Sequence, residues 1–221
     1  MVFHVLNRGV ARMQVFEKAG DYEAFERVLS DTLREAPMRI CAYCVMPNHW
    51  HMLLWPEHDG EMARFMQRLT ITHVRRWQEH RDYVGLGHVY QGRYKSFPVE
   101  EDEHFVAVAR YVERNPLRGN LVVRAEQWRW SSLWRRCRGS AEEKTVLAAW
   151  PVEVPEDWIE RVNRADNEKE LEGLRRSVQR GRPYGAPEWQ RRIAKRLGLE
   201  SAYRSAGRPR IARSVTQVSE L

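Results

Sequence analysis

Apolar and polar residues alternate along Val2–Arg8 up to Gly9, which predicts a first strand. Residues 21–36 change to a 3-4 rhythm carried by Phe25, Val28, Leu29 and Leu33. A helix is expected there, capped by Asp21 and stopped by Pro37. Residues 38–46 and His49–Trp55 return to strand patterning, with Pro47-Asn48 as the tight turn between them. Residues 60–80 set Met62, Phe65, Met66, Leu69, His73 and Val74 along one stripe of a long helix, with Arg64, Arg68, Arg75 and Arg76 on another face. Residues 89–99 predict a fourth strand with Gln91, Arg93 and Lys95 on one side. A helix then starts at Glu101 or Asp102 and runs through Phe105, Val108 and Tyr111 to Asn115, where Pro116 ends it.

This βαββαβα order is the plan of an α+β protein: an antiparallel sheet with helices packed on one face. Residues 128–134, with three Trp, read as a packed turn of helix. Residues 141–170 are acidic, contain Pro151 and Pro155, and read as a linker or edge packing. Helices are expected at Glu168–Arg180 and Pro187–Leu197, and a flexible basic tail over 204–213. The expected division is a domain over 1–138, a linker or edge segment over 139–170, and a basic helical and flexible extension over 171–221. A strand beginning at the second residue lacks a lead-in, which leaves open a native start upstream of Met1.

Charge changes the picture more than composition does. The 221 residues carry a formal +7, but residues 171–221 hold twelve Arg or Lys against four acids. That segment is therefore +8 and residues 1–170 are −1. Eleven of the twelve are arginine, the side chain suited to phosphate and guanine, so nucleic acid is the leading partner class. No apolar run is long enough for a membrane helix, and Met1–Leu6 lacks the features of a signal peptide, so a cytoplasmic protein is expected.

Two stretches carry candidate chemistry. In Met46-Pro47-Asn48-His49-Trp50-His51, strand periodicity puts His49 and His51 on one face, where two imidazoles can converge on a divalent ion. Tyr111 and Asn115 are four apart and share a helix face. Cys41 and Cys44 form a Cys-x-x-Cys within a predicted strand. Positions i and i+3 of a regular strand point to opposite faces, so these thiols are expected to diverge and to be buried, not zinc-binding with His49 and His51.

Five segments then fall in a family order: Phe3-His4-Val5 with Asn7-Arg8-Gly9, Met46 to His51, Gln91-Gly92-Arg93-Tyr94-Lys95, Tyr111 to Arg118, and Trp130-Ser131-Ser132. Over residues 2–135 the chain resembles the single-tyrosine HUH (IS200-like) transposases, and within them the REP-associated tyrosine transposases. The resemblance implies a ferredoxin-like HUH fold in which His49 and His51 bind Mg²⁺ or Mn²⁺, Asn115 is a candidate third ligand and Tyr111 is the nucleophile. It implies a metal-dependent endonuclease and strand transferase on single-stranded, hairpin-flanked repeat DNA, leaving a 5′-phosphotyrosine. The alternative is a regulator of the same fold that binds repeat hairpins without cutting. Arg93, Lys95, Arg118, Arg182 and the arginines of 60–80 are the candidate DNA contacts. Lys95, Arg110 or Arg118 is the candidate to assist Tyr111, and the sequence does not choose among them. A monomer is favoured over a homodimer, with no membrane partner.

Overall fold

The computed structural model describes residues 1–204. Four strands, β1 (Val2–Arg8), β2 (Arg39–Met46), β3 (His49–Trp55) and β4 (Lys95–Val99), form one antiparallel sheet in the order β2-β3-β1-β4. Helices α1 (Ala19–Glu35) and α2 (Glu61–His80) make the two crossovers of a ferredoxin-like split β-α-β arrangement. They cover one face of the sheet with Phe25, Leu29, Phe65, Met66 and Leu69, against Val5, Trp50 and Met52.

The other face is covered too, which corrects the expectation of helices on one side only. Helix α3 (Glu103–Glu113) lays Phe105, Val108, Ala109 and Val112 on Cys44, Leu53 and Phe97. A short α4 (Asn115–Arg118) follows directly, with Pro116 in its first turn, where a missing N–H costs nothing. Pro116 thus turns the chain into a second helix instead of ending it. Residues 128–134 are also reinterpreted. Ser131 pairs with Cys44 beside β2 and caps α5 (Ser132–Arg138) by accepting the Trp134 N–H, so the first two Trp precede the helix.

Helices α6 (Ala141–Lys144) and α7 (Trp158–Asn163) follow. Trp150 and Trp158 are buried in the same core as α3, and the Trp150 indole donates to the Cys41 carbonyl. Helix α8 (Glu168–Arg180) starts on an Asn167 cap, stops at the left-handed Gly181, and buries Leu171 and Leu174; α9 (Pro187–Leu197) stops at Gly198.

Three further expectations are corrected by local geometry. Asp21 lies inside α1, at its third residue, and its carboxylate gathers the N–H groups of Glu17 and Lys18 ahead of the helix. The fourth strand begins only at Lys95. Residues 91–94 leave the sheet, so Gln91 and Arg93 do not share a strand face with Lys95. A register shift between Ile40 and Ala42 bulges β2 at Cys41 and puts Cys41 and Cys44 into the same core layer. The thiols do not diverge, but both are buried, and burial pushes Cys41 up to about 12. The expected tail over 204–213 lies almost wholly outside the described residues.

Candidate active site

Alternation along β3 turns Trp50 into the α1/α2 core and leaves His49 and His51 on the α3 face, as the sequence pattern requires. The two imidazoles stand edge to face with ring centres 4.9 Å apart. Tyr111, from α3, meets His51 edge-on at 5.7 Å. Residues sixty positions apart in sequence are thus brought together by packing α3 on β3.

Each histidine has one nitrogen already engaged. His51 Nδ1 lies 2.9 Å from Nε2 of His4, which is on the adjacent strand β1 and fully buried. His49 Nδ1 lies 2.6 Å from Asn48 Oδ1, and Asn48 is itself oriented by donating its amide N–H to the Arg12 carbonyl at 3.3 Å. Among the described residues neither Nε2 makes a hydrogen bond. Burial lowers the His49 pKa to about 4, helped by Arg8, and drives that of His51 well below its ordinary value. Both rings are therefore neutral near pH 7, with lone pairs to give. Asn115 is buried and its amide nitrogen has no partner.

A cavity of about 390 Å³ opens over His51 and Tyr111. Among the described residues four cations line it, Arg8, Arg93, Lys95 and Arg175, and no carboxylate does. Arg118 adds a fifth positive group, its guanidinium 4.5 Å from the centre of the Tyr111 ring. Burial raises the Tyr111 pKa above its ordinary value, while Arg118, Arg175 and Arg8 pull it down. An anion is the ligand this field accepts.

A family model described as IS200-like transposase matches residues 1–115. The chain belongs to the IS200-like transposase family. A protein of Haemophilus influenzae (strain Rd) described as a REP-associated tyrosine transposase is 22% identical over 143 residues, 61% of this chain and 74% of that protein. A solved REP-associated tyrosine transposase bound to a REP hairpin is 18% identical, with a TM-score of 0.47, over 69% of this chain and 87% of its own. A Deinococcus radiodurans protein described as a transposase aligns at 21% identity and a TM-score of 0.37, over 51% of this chain and 88% of its own.

In this IS200-like transposase the candidate cations have unequal freedom. Arg110, Arg114 and Arg118 form one stripe, and all three pair with Asp166 at 3.1–3.3 Å. Arg110 is further used by the carbonyls of Arg161, Arg164 and Ala165, so of the three candidates to assist Tyr111 it is the one held elsewhere. Arg182 donates to the Ala202 carbonyl and stacks on Tyr203. On α2, Arg68 and Arg76 pair with Glu35 and Asp31 of α1, and Arg75 with Glu79. Cys41, Cys44, His49 and His51 do not gather. Among the described residues the group of three His, Cys or acid ligand atoms within 4.8 Å is Glu100, Asp102 and His104, whose Asp102 caps α3.

Sequence reasoning missed His4, Arg8 and Arg175. His4 and Arg8 lie inside a motif segment, but only the register, which pairs Leu6 with His51 and Arg8 with His49, shows them beside the site. Arg175 is indistinguishable in sequence from the rest of a basic helix until α8 is packed on α3.

Proposed function

We propose that this transposase cuts and rejoins single-stranded DNA at hairpin-flanked repeats, with Tyr111 as nucleophile. The observation that carries the reading is Tyr111 edge-on to His51 in a cavity lined, among the described residues, by four cations and no acid. The relatives described as REP-associated tyrosine transposases support the choice of hairpin-flanked repeats.

The Tyr111 oxygen attacks the scissile phosphorus; the Tyr–O–P bond forms as the P–O3′ bond breaks. The phenol proton leaves to solvent or a base, and the released strand ends in a 3′-hydroxyl. The 5′-phosphotyrosine keeps the phosphodiester's energy, so a later 3′-hydroxyl can reverse the step and join a new strand. Arg118 lowers the cost of the phenolate, and Arg8, Arg93, Lys95 and Arg175 draw in the phosphate backbone.

His49 and His51 fit a Mg²⁺ or Mn²⁺ ion: both rings are neutral, both Nδ1 atoms are occupied, and both Nε2 atoms are left over. Asn115, buried one helical turn after Tyr111, is the third candidate ligand, through its amide oxygen. Such an ion would supply Lewis-acid neutralisation of the phosphate oxygens. We assign DNA contact to Arg93, Lys95 and Arg118, and place Arg182 at the margin because its guanidinium is held within the chain. Residues 1–138 form the catalytic unit in this reading, and α8 lends it Arg175. Since Tyr111 reaches His51 of its own chain, a monomer suffices.

The test is a denaturing gel of labelled single-stranded hairpin DNA with protein and Mn²⁺. A covalent adduct is expected that disappears with EDTA or in Tyr111→Phe, while that variant still binds DNA. Binding without any adduct on several hairpins would instead support a regulator that does not cut.

A further inference from the structure

Strand β4 pairs with β1 only as far as Lys95–Leu6, and the chain then loops off the sheet's edge before Gln91 N–H bonds the Arg8 carbonyl. Asn7 sits in that gap, turned toward the α2 face, with its amide donating to the Gly92 carbonyl at 3.2 Å. Asn7, Gly92 and Arg93 line the Tyr111 cavity, and the same three line a second groove of about 880 Å³ on the opposite face of the sheet. The two hollows thus share these three residues at the edge of the sheet.

The second groove runs between α2 and residues 87–94. Its walls are Ile71, Val74 and Tyr94, with Arg93 and the Glu79-paired Arg75 as its cations and, among the described residues, no acid in its lining. Ile71 is 60% exposed there, an aliphatic side chain facing water in mid-helix. We infer that this groove holds unpaired bases of the strand that continues from the scissile phosphate, stacked on its apolar walls with the backbone led over the edge by Arg93. The inference rests on the reading that the Tyr111 cavity takes single-stranded DNA.

Three features favour this occupant. Apolar walls interleaved with cations match a base-and-phosphate polymer. The passage at Asn7 and Gly92 turns a sheet edge, which a flexible single strand can follow and a stiff duplex cannot. On the α3–α7 side Arg110, Arg114 and Arg118 are tied to Asp166, whereas Arg93 has no ion-pair partner among the described residues and lines both hollows.

The experiment uses the full chain carrying Tyr111→Phe, to prevent cutting, and a repeat hairpin with or without a single-stranded flank. 2-Aminopurine is placed at successive flank positions. The flank is expected to tighten binding, and at least one probe position to change fluorescence on complex formation. Adding Ile71→Glu should weaken binding of the flanked hairpin by about tenfold or more and leave the bare hairpin unchanged. Tyr94→Ala should act in the same direction. Val123→Glu, the same charge change at a site 84% exposed, controls for charge alone. Equal effects of the two glutamates, or no effect of either, overturns the groove; a Tyr111-dependent adduct would then leave the transferase reading standing. A dimer in sedimentation that Ile71→Glu dissolves would make the groove a protein interface, and would also overturn it. Failure of the unsubstituted groove to bind either DNA removes both readings.

Discussion

His4 shows how a side chain outside the cavity can govern one inside it. For His51 to offer its Nε2 lone pair, its proton must sit on Nδ1 and be donated to His4 Nε2, 2.9 Å away. His4 then holds its own proton on Nδ1, a buried atom with no partner. A ring that fills the space without the nitrogen removes this control, so His4→Phe is expected to lower Mn²⁺ affinity about 10- to 100-fold. Electron paramagnetic resonance of Mn²⁺ titrated into the protein reads this without DNA or turnover. His4→Gln, which can return a polar atom near Nε2, should recover part of the loss; equal loss in both would point to packing alone.

Arg118 acts on Tyr111 through charge. Replacing it with Gln removes the main group opposing the burial of the phenol, so the Tyr111 pKa should rise further. The pH profile of adduct formation is expected to move toward alkaline pH by about one unit. Asp166 holds Arg118 in place. Burial would raise its carboxyl, but Arg118 and Arg114 keep it below its ordinary value. Asp166→Asn both loosens Arg118 and removes a charge that raises the Tyr111 pKa, so the profile should move less than in Arg118→Gln. A profile unmoved by Arg118→Gln would mean that Arg118 only packs on the ring.

Among the elements, α2 and the segment before β4 are tied by a polar chain inside the core. The Trp50 indole donates to the Tyr90 hydroxyl, which donates to His73 Nδ1, each at 3.0 Å. Burial takes the His73 pKa down to about 3. Below its ordinary value of about 6.5 the unfolded chain gains a proton that the folded chain refuses. Stability is thus full above that pH and falls as the pH drops toward 3, by at most about 1.4 kcal/mol per unit from this group. Urea melts at pH 7, 6, 5 and 4 should show that decline, and His73→Phe should flatten it even while lowering stability at pH 7. An unchanged acid slope in the variant would exclude His73 as a source.

The same elements show what the residues disclosed and what they hid. Strands β1 and β3 and helix α8 were legible because period and punctuation agree, as with Asn167 before α8 and Gly181 after it. The start of β4 was not. Val89 and Tyr90 are buried by α2 and meet the chain after β1 only through an isolated bridge from Tyr90 to Gly9, so apolar alternation there imitates a continuous strand. The Cys41 bulge was hidden for a related reason: one extra residue resets which face each thiol takes, and nothing in Arg39–Met46 marks it. The pairing of His49, His51 and Tyr111 could be named from the resemblance, but the role of His4 needs the strand register.

Across the whole molecule, residues 150–180 pack into the same body as α3. Trp150, Trp158 and Leu174 share a core with α3, and Arg175 faces Tyr111 from α8. Ending the chain at residue 170 would strip α8 from α3 and β4, and should lower the thermal midpoint as well as the affinity for DNA. Ending it after Arg204 removes three arginines and one glutamate and leaves every described contact intact. That shorter chain should melt normally while the slope of log affinity against log salt falls by up to about 2. A normal melt from the chain ending at 170 would refute the integrated view.

With Tyr111 and His51 supplied by one polypeptide, the rate law follows. Strand cutting should be first order in protein down to the lowest concentrations, with no lag and no assembly threshold. In the proposed reading each molecule offers one nucleophilic tyrosine, Tyr111, so moving a segment of DNA needs two cuts taken in turn, the first linkage resolved before the second forms. On the proposed reading, very few copies would suffice, working one strand end at a time.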